Sequence, residues 1–219
     1  MTDRRVVIAG GHGKIAQQLI EVLTAQGDRA VGLIRNPDHV NAVTALGALP
    51  EVIDLESATV DEVAALLHDA DAVVFAAGAG AAGGVERKDS IDRAGSVLLA
   101  DAAEKAGVKR FVQISSFGAG EPVADDAEAS WKAYITAKTA AEEDLKGRSN
   151  LDWTILRPGG LTDEDGTGHI ALSEPPLDRG TVPRADVAAV IAALLQTPST
   201  VGKTLMLTSG DTSIRDAVK

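Results

Sequence analysis

The segment Val6-Val-Ile-Ala-Gly-Gly-His-Gly-Lys-Ile-Ala16 constrains the fold of this chain more than any other. Its opening run of apolar residues, with no polar alternation, reads as a strand covered on both faces, the kind found in parallel sheets. Three of the next four residues are glycines, and a helical period then begins. Ile15, Leu19, Ile20, Val22 and Leu23 share one face of a helix over 14–26, ended by Gly27. Strand, glycine turn and helix in that order open a βαβ unit. Gly10 can take the tight turn, Gly13 lets backbone approach a pyrophosphate, and Ala16 is small enough for helix to pack on strand. The helix N-terminus offers unpaired N–H groups and partial positive charge to phosphates. The turn therefore reads as a dinucleotide site, lined also by His12, Lys14 and Ile15.

The rest of the chain repeats the alternation. Strands are expected at 30–34, 52–53, 72–76, 110–115, 153–156 and 205–207. Helices are expected at 37–47 (opened by Pro37), 59–67, 90–106 (closed by Gly107), 130–146 and 184–196. Gly78 to Gly84 holds four glycines in seven residues and reads as a flexible loop. Residues 157–180 show no clear period, a stretch too short for a second domain and long for a loop. The expectation is an α/β protein: a Rossmann-type doubly wound parallel sheet in a single three-layer domain over 1–219, with a substrate-side loop region at about 157–182.

Composition narrows the function. With no cysteine among 219 residues, disulfide scaffolds, thiolate metal sites and Cys nucleophiles are excluded. The N-terminus lacks the long apolar stretch of a secretory signal, and no apolar run approaches the roughly 20 residues that span a bilayer. A cytoplasmic protein without a membrane partner is expected. The net charge of −11 argues against nucleic acid. The four histidines lack close helical spacing, and Asp163-Glu-Asp165 reads as a solvated acidic loop, so no metal is expected. A monomer or homodimer fits equally well.

Arg35 follows the second strand, where an NAD-selective site usually carries an acid for the ribose hydroxyls. An arginine there can pair with a 2′-phosphate, with Lys14 as a second charge, so NADP(H) is preferred over NAD(H). Asp54, followed by Leu55, stands past the third strand, where it either reaches the adenine or caps a turn. Tyr134 and Lys138 are four apart, on one face of an expected helix. An ammonium near a phenol favours the phenolate, and such a pair can pass a proton to a carbonyl. Ser116, at the end of the strand over 110–115, can hydrogen-bond the developing oxyanion. A Ser/His/Asp hydrolase is less attractive, because the serines lack the Gly-x-Ser-x-Gly elbow.

Together these segments resemble the short-chain dehydrogenases/reductases, and more closely their atypical NAD(P)H-binding branch. The resemblance rests on the glycine turn, Val74-Phe-Ala-Ala-Gly78, Phe111-Val-Gln-Ile-Ser-Ser116, Tyr134-Ile-Thr-Ala-Lys138 and Trp153-Thr-Ile-Leu-Arg-Pro-Gly-Gly160. It implies that Ala76, Ala77 and Gly78 line the cofactor cleft and that Lys138 and Pro158 lie near the nicotinamide half. It implies catalytic roles for Ser116, Tyr134 and Lys138, with Ser115 on the cofactor-binding wall and as the neighbouring alternative to Ser116. The glycine spacing differs from the classical Gly-x-x-x-Gly-x-Gly, and the chain lacks the C-terminal substrate domain of extended members. The implied activity is an NADP(H)-dependent oxidoreductase acting on a small carbonyl or conjugated substrate. The alternatives are a dinucleotide sensor without turnover, which would not need Ser116, Tyr134 and Lys138, and a sugar epimerase or dehydratase, which needs a deep nucleotide-sugar pocket.

Overall fold

The computed structural model of the chain describes residues 3–80 and 84–219. Its first half winds as β1 (Arg5–Ala9), α1 (Lys14–Ala25), β2 (Arg29–Ile34), α2 (Val40–Ala45), β3 (Leu49–Val52), α3 (Val60–Leu66) and β4 (Ala72–Phe75). A helical stretch of mixed pitch follows: α4 (Val85–Arg87), a π-helical segment Lys88–Arg93, and α5 (Ala94–Ala106). Then come β5 (Arg110–Ile114), α6 (Ala129–Lys146), β6 (Asp152–Pro158), β7 (Gly160–Thr162), β8 (His169–Ser173), β9 (Thr181–Pro183), α7 (Arg184–Leu194), β10 (Lys203–Ser209), β11 (Thr212–Ser213) and α8 (Ile214–Ala217).

The main sheet runs β11-β8-β10-β6-β5-β4-β1-β2-β3. From β3 to β10 every pairing is parallel. Alternate residues of each strand feed opposite layers. Val6 and Ile8 pack with Leu19, Ile20 and Leu23 of α1 and with Val187, Val190 and Ile191 of α7. Val7 and Ala9 pack on the other side with Phe75, Leu99, Phe111 and Leu145. This is the doubly wound Rossmann-type fold, helix layers on both faces of a mostly parallel sheet. Strand order reverses between β1 and β4, so the crevice of the fold opens beyond their carboxyl ends.

Four sequence expectations are corrected. The sheet is not wholly parallel: β8 pairs antiparallel with β10, and β11 antiparallel with β8. The stretch 157–180 therefore holds strands that no period announces. In β8 only Ile170 is fully enclosed, so the burial alternation that marks a strand is nearly absent. The helix expected over 90–106 starts earlier and contains the π-helical segment, whose inner side carries Lys88, Ile91 and Asp92. Such turns break the 3.6-residue period and cluster at functional sites. The third strand ends at Val52 rather than spanning 52–53. The helix expected over 37–47 begins with a 3₁₀ turn at Pro37–His39, capped by the Asn36 side chain accepting from the Asp38 N–H. Of the Gly78 to Gly84 loop, residues 81–83 lie outside the described residues.

Candidate cofactor and active site

Two cavities meet above the carboxyl ends of the strands, sharing Gly13, Ala76, Ala77, Gly78 and Gly80 as walls. The smaller, about 350 Å³, is lined by Gly10, His12, Arg35, His39, Asp54 and Leu55 among others. The larger, about 760 Å³, is lined by Lys14, Ile15, Ser115, Ser116, Tyr134, Lys138 and Pro158 among others. Residues from seven segments of the sequence thus face one groove.

Backbone packing builds its floor. Gly10 has φ +81°, and a Cβ there would stand 2.7 Å from the Ala77 Cα. Gly11, unremarked in the sequence, abuts Gly32 of β2, where a Cβ would come within 2.6 Å of backbone. Both Gly10 and Gly11 donate their N–H to the Leu33 carbonyl, at 3.1 and 2.9 Å. Gly10→Ala is expected to lower the melting temperature and to abolish dinucleotide binding, since αL strain and a backbone clash fall on one atom. A thermal melt and a nucleotide titration check this.

The two relevant helix N-termini differ. In α3, Thr59 and Glu62 form a full capping box. In α1, Gly13 occupies the N-cap, no side chain caps it, and no acid stands in the first turn. The positive end of a 12-residue helix is left open toward the groove, which is what a pyrophosphate requires. The glycine cradle and this bare helix end fit a dinucleotide.

In the smaller cavity the rings of His12 and His39 stack, centroids 3.5 Å apart. Partial burial, and then the neighbouring His39, push His12 below its ordinary value. Arg35 pairs with Glu56 at 3.1 Å, and Glu56 also binds Arg87 at 3.0 Å and accepts from Ser90 at 2.6 Å. The Ser90 hydrogen bond, helped by the two arginines, holds the Glu56 carboxyl below its usual range. Asp54 accepts from the Glu56 N–H at 3.1 Å, so its carboxylate caps a turn on the cavity wall. Lys14 does not join Arg35. As the first residue of α1 it faces the larger cavity and pairs with Asp163, which also holds Arg184. The acidic loop is solvated as expected, and its Asp163 tethers two cations.

In the larger cavity α6 presents one face, with Tyr134, Lys138 and Glu142 one turn apart. Lys138 is 4% exposed. Its ammonium donates to the Ile114 carbonyl at 3.1 Å, pairs with Asp92 at 3.2 Å and lies 5.7 Å from the Tyr134 ring centroid. Asp92, 1% exposed, also accepts from the Ala79 N–H at 3.0 Å, tying the π-helical segment to the loop after β4. Glu142 accepts from the Ser115 hydroxyl at 2.6 Å and from Arg157 through two hydrogen bonds, at 2.9 and 2.6 Å. Ser115 is thereby committed to a buried carboxylate. Ser116, whose hydroxyl makes only a 3.2 Å contact with the Phe117 carbonyl, is the strand-end serine free to face a ligand.

Sequence reasoning missed Lys88, Asp92, Glu142, Arg157 and Trp131. Two of them had a signal. Asp92 precedes Gly95, Ser96 and Leu99 on the inner face of its helix, and Glu142 continues the four-residue spacing of Tyr134 and Lys138.

A sequence-family model for NAD(P)H-binding proteins matches residues 10–198. The chain belongs to this NAD(P)H-binding family. The match begins on the first glycine of the turn and ends after α7, so it takes in both cavities. Among curated relatives, the Bacillus subtilis protein YhfK, named an uncharacterized sugar epimerase, is 33% identical over 98% of this chain and 99% of its own. Among solved structures, a Bacillus halodurans protein provisionally named an NAD-dependent epimerase/dehydratase superposes with TM-score 0.89 at 36% identity, covering 98% of each chain. ChuY, the anaerobilin reductase of Escherichia coli O157:H7, superposes with TM-score 0.80 at 29% identity, covering 94% of this chain and 98% of its own. These are relatives of the oxidoreductase and epimerase-like branch of the Rossmann fold. Among the described residues no helix is long and apolar enough to cross a membrane.

Proposed function

We propose that the chain is an NADP(H)-dependent oxidoreductase that reduces a small carbonyl or conjugated substrate. The observation that carries this reading is one cavity walled by Ser116, Tyr134 and Lys138 that opens onto the glycine turn through Gly13 and Gly78. A bound nicotinamide supplies hydride. The Tyr134 hydroxyl donates a proton to the substrate oxygen, Ser116 donates a hydrogen bond to the same oxygen as charge develops, and Lys138 holds the nicotinamide ribose. Asp92 fixes the Lys138 ammonium in place. Pro158 and the segment over 157–182 form the substrate-side wall of a single-domain protein. The reductase name of ChuY supports this reading, while the epimerase names of other relatives keep a retained-cofactor reaction as the competitor.

Arg35 is assigned to the 2′-phosphate, which would take it from Glu56. Arg35→Ala is expected to weaken NADPH binding about tenfold, the scale of one charge-assisted hydrogen bond, and to leave NADH binding unchanged. Fluorescence titration with both nucleotides measures it, and equal losses would refute the 2′-phosphate role.

The deciding experiment adds quinones, flavins and aldehydes to the NADPH complex and follows nicotinamide absorbance. Oxidation dependent on an acceptor supports a reductase. Tight binding without oxidation, together with interconversion of a nucleotide sugar, would assign an epimerase instead.

A further inference from the structure

Lys88 stands on the wall of the larger cavity, and nothing in the reaction above employs it. It is 7% exposed, on the π-helical segment. Its ammonium donates to the Gly80 carbonyl at 2.7 Å and lies 5.1 Å from the Tyr134 ring centroid. Among the described residues it forms no ion pair. Of the two carboxylates on this wall, Asp92 is committed to Lys138, and no ion pair joins Glu128 to Lys88 among the described residues. Withdrawing an ammonium from water without a counter-charge is unfavourable.

The cavity also departs from the charge of the whole chain. The protein carries −11, yet this wall sets Lys14, Lys88, Lys138 and Arg184 against Asp92 and Glu128; Asp163 binds two of these cations, Lys14 and Arg184, and leaves the balance positive. Cations concentrated in a cleft attract an anionic ligand. The glycine turn offers the dinucleotide phosphates its own helix end and Lys14, and Lys88 is absent from the smaller cavity. On the same wall Trp131 is 43% exposed, with its ring 5.6 Å from that of Tyr134. An aromatic face this open at a cleft suits a planar ring.

We infer that Lys88 is an anion subsite: the substrate is a planar unsaturated carbonyl compound whose acidic group, carboxylate or phosphate, pairs with Lys88 while its ring lies against Trp131 and its carbonyl reaches Tyr134. This rests on reading the larger cavity as the substrate side of a reductase.

The test uses three probes: 4-carboxybenzaldehyde, 4-formylphenyl phosphate and the neutral methyl 4-formylbenzoate. Binding is read by quenching of tryptophan fluorescence, with and without NADPH, so no turnover is required. The acidic probes are expected to bind about tenfold more tightly than the ester, and Lys88→Met to bring them down to the ester's affinity. The melting temperature and NADPH affinity stay at wild-type values. In the wild-type protein the preference fades with added salt, which needs no variant. The acidic probe that loses more identifies the anion. An ester that binds as tightly as the acids, no binding of any probe, equal losses for all three in Lys88→Met, or a fall in NADPH affinity would each overturn the subsite. Tight, Lys88-dependent binding without turnover on any acceptor would refute the reductase reading and leave the subsite standing.

Discussion

Tyr134→Phe is expected to lower kcat by about 10²–10⁴-fold, the usual contribution of a positioned general acid. NADPH affinity should not change. The substitution removes one hydroxyl and keeps the ring, so the contacts with Trp131 and with the Lys88 and Lys138 ammoniums survive. What is lost is the proton donor to the reduced oxygen, an interaction made as charge develops rather than in the bound ground state. Steady-state kinetics with any acceptor that the wild-type protein reduces, beside a nucleotide titration, separates the two effects. Full turnover in the variant would remove Tyr134 from the reaction. A matching loss of NADPH affinity would make it a binding residue.

Glu142→Leu is expected to cost about 3–5 kcal/mol of stability, because it strands a buried guanidinium. Arg157 is 8% exposed, and Glu142 takes two of its hydrogen bonds. For a chain of this size that loss lowers Tm by about 10 °C. The double variant Glu142→Leu/Arg157→Met should recover much of it, since the penalty comes from the unpaired charge rather than from the missing pair. The pH dependence has a definite sign. Burial alone would raise the Glu142 carboxyl, but hydrogen bonds from Arg157 and Ser115 and the nearby Lys146 outweigh it and hold the group below its ordinary value of 4.5. A depressed value in the folded state means the carboxylate contributes stability above the unfolded value and loses it as pH falls through the folded one. The Tm gap between wild type and Glu142→Leu should therefore narrow below pH 4.5. Ser115 donates to the same carboxylate, so the variant is also expected to loosen the turn that carries Ser116.

Local pattern made the Rossmann core and the cofactor turn readable. A strand enclosed on both faces, as β1 is, needs an unbroken apolar run. A helix packed on one side, as α1 is, needs a 3.6-residue stripe. A dinucleotide turn needs glycine where φ is positive and where backbones meet, as at Gly10. Each requirement acts between residues adjacent in the chain and so leaves a mark there. Tyr134 and Lys138 were legible for the same reason, being one helical turn apart.

Other features answer to partners distant in sequence. β8 exists because β10 offers it an edge, and its own residues barely alternate. Lys14 turned from Arg35 to Asp163, 149 positions away, since the direction of a long side chain is set by the nearest opposite charge in space. The two strand-end serines are neighbours in the sequence and divided in role by Glu142, 27 positions on from Ser115, which binds one and leaves the other. Lys88 was hidden because a π-helical segment breaks the helical period, and the helical spacing of Asp92 gave no sign of Lys138, since a buried charge declares itself only through the group that meets it. Backbone conformation and burial pattern were written in the order of the residues. The pairing of charges, and with it the chemistry of the larger cavity, arose only when the folded chain brought separate segments within a few ångströms, where Coulomb and hydrogen-bond energies become strong.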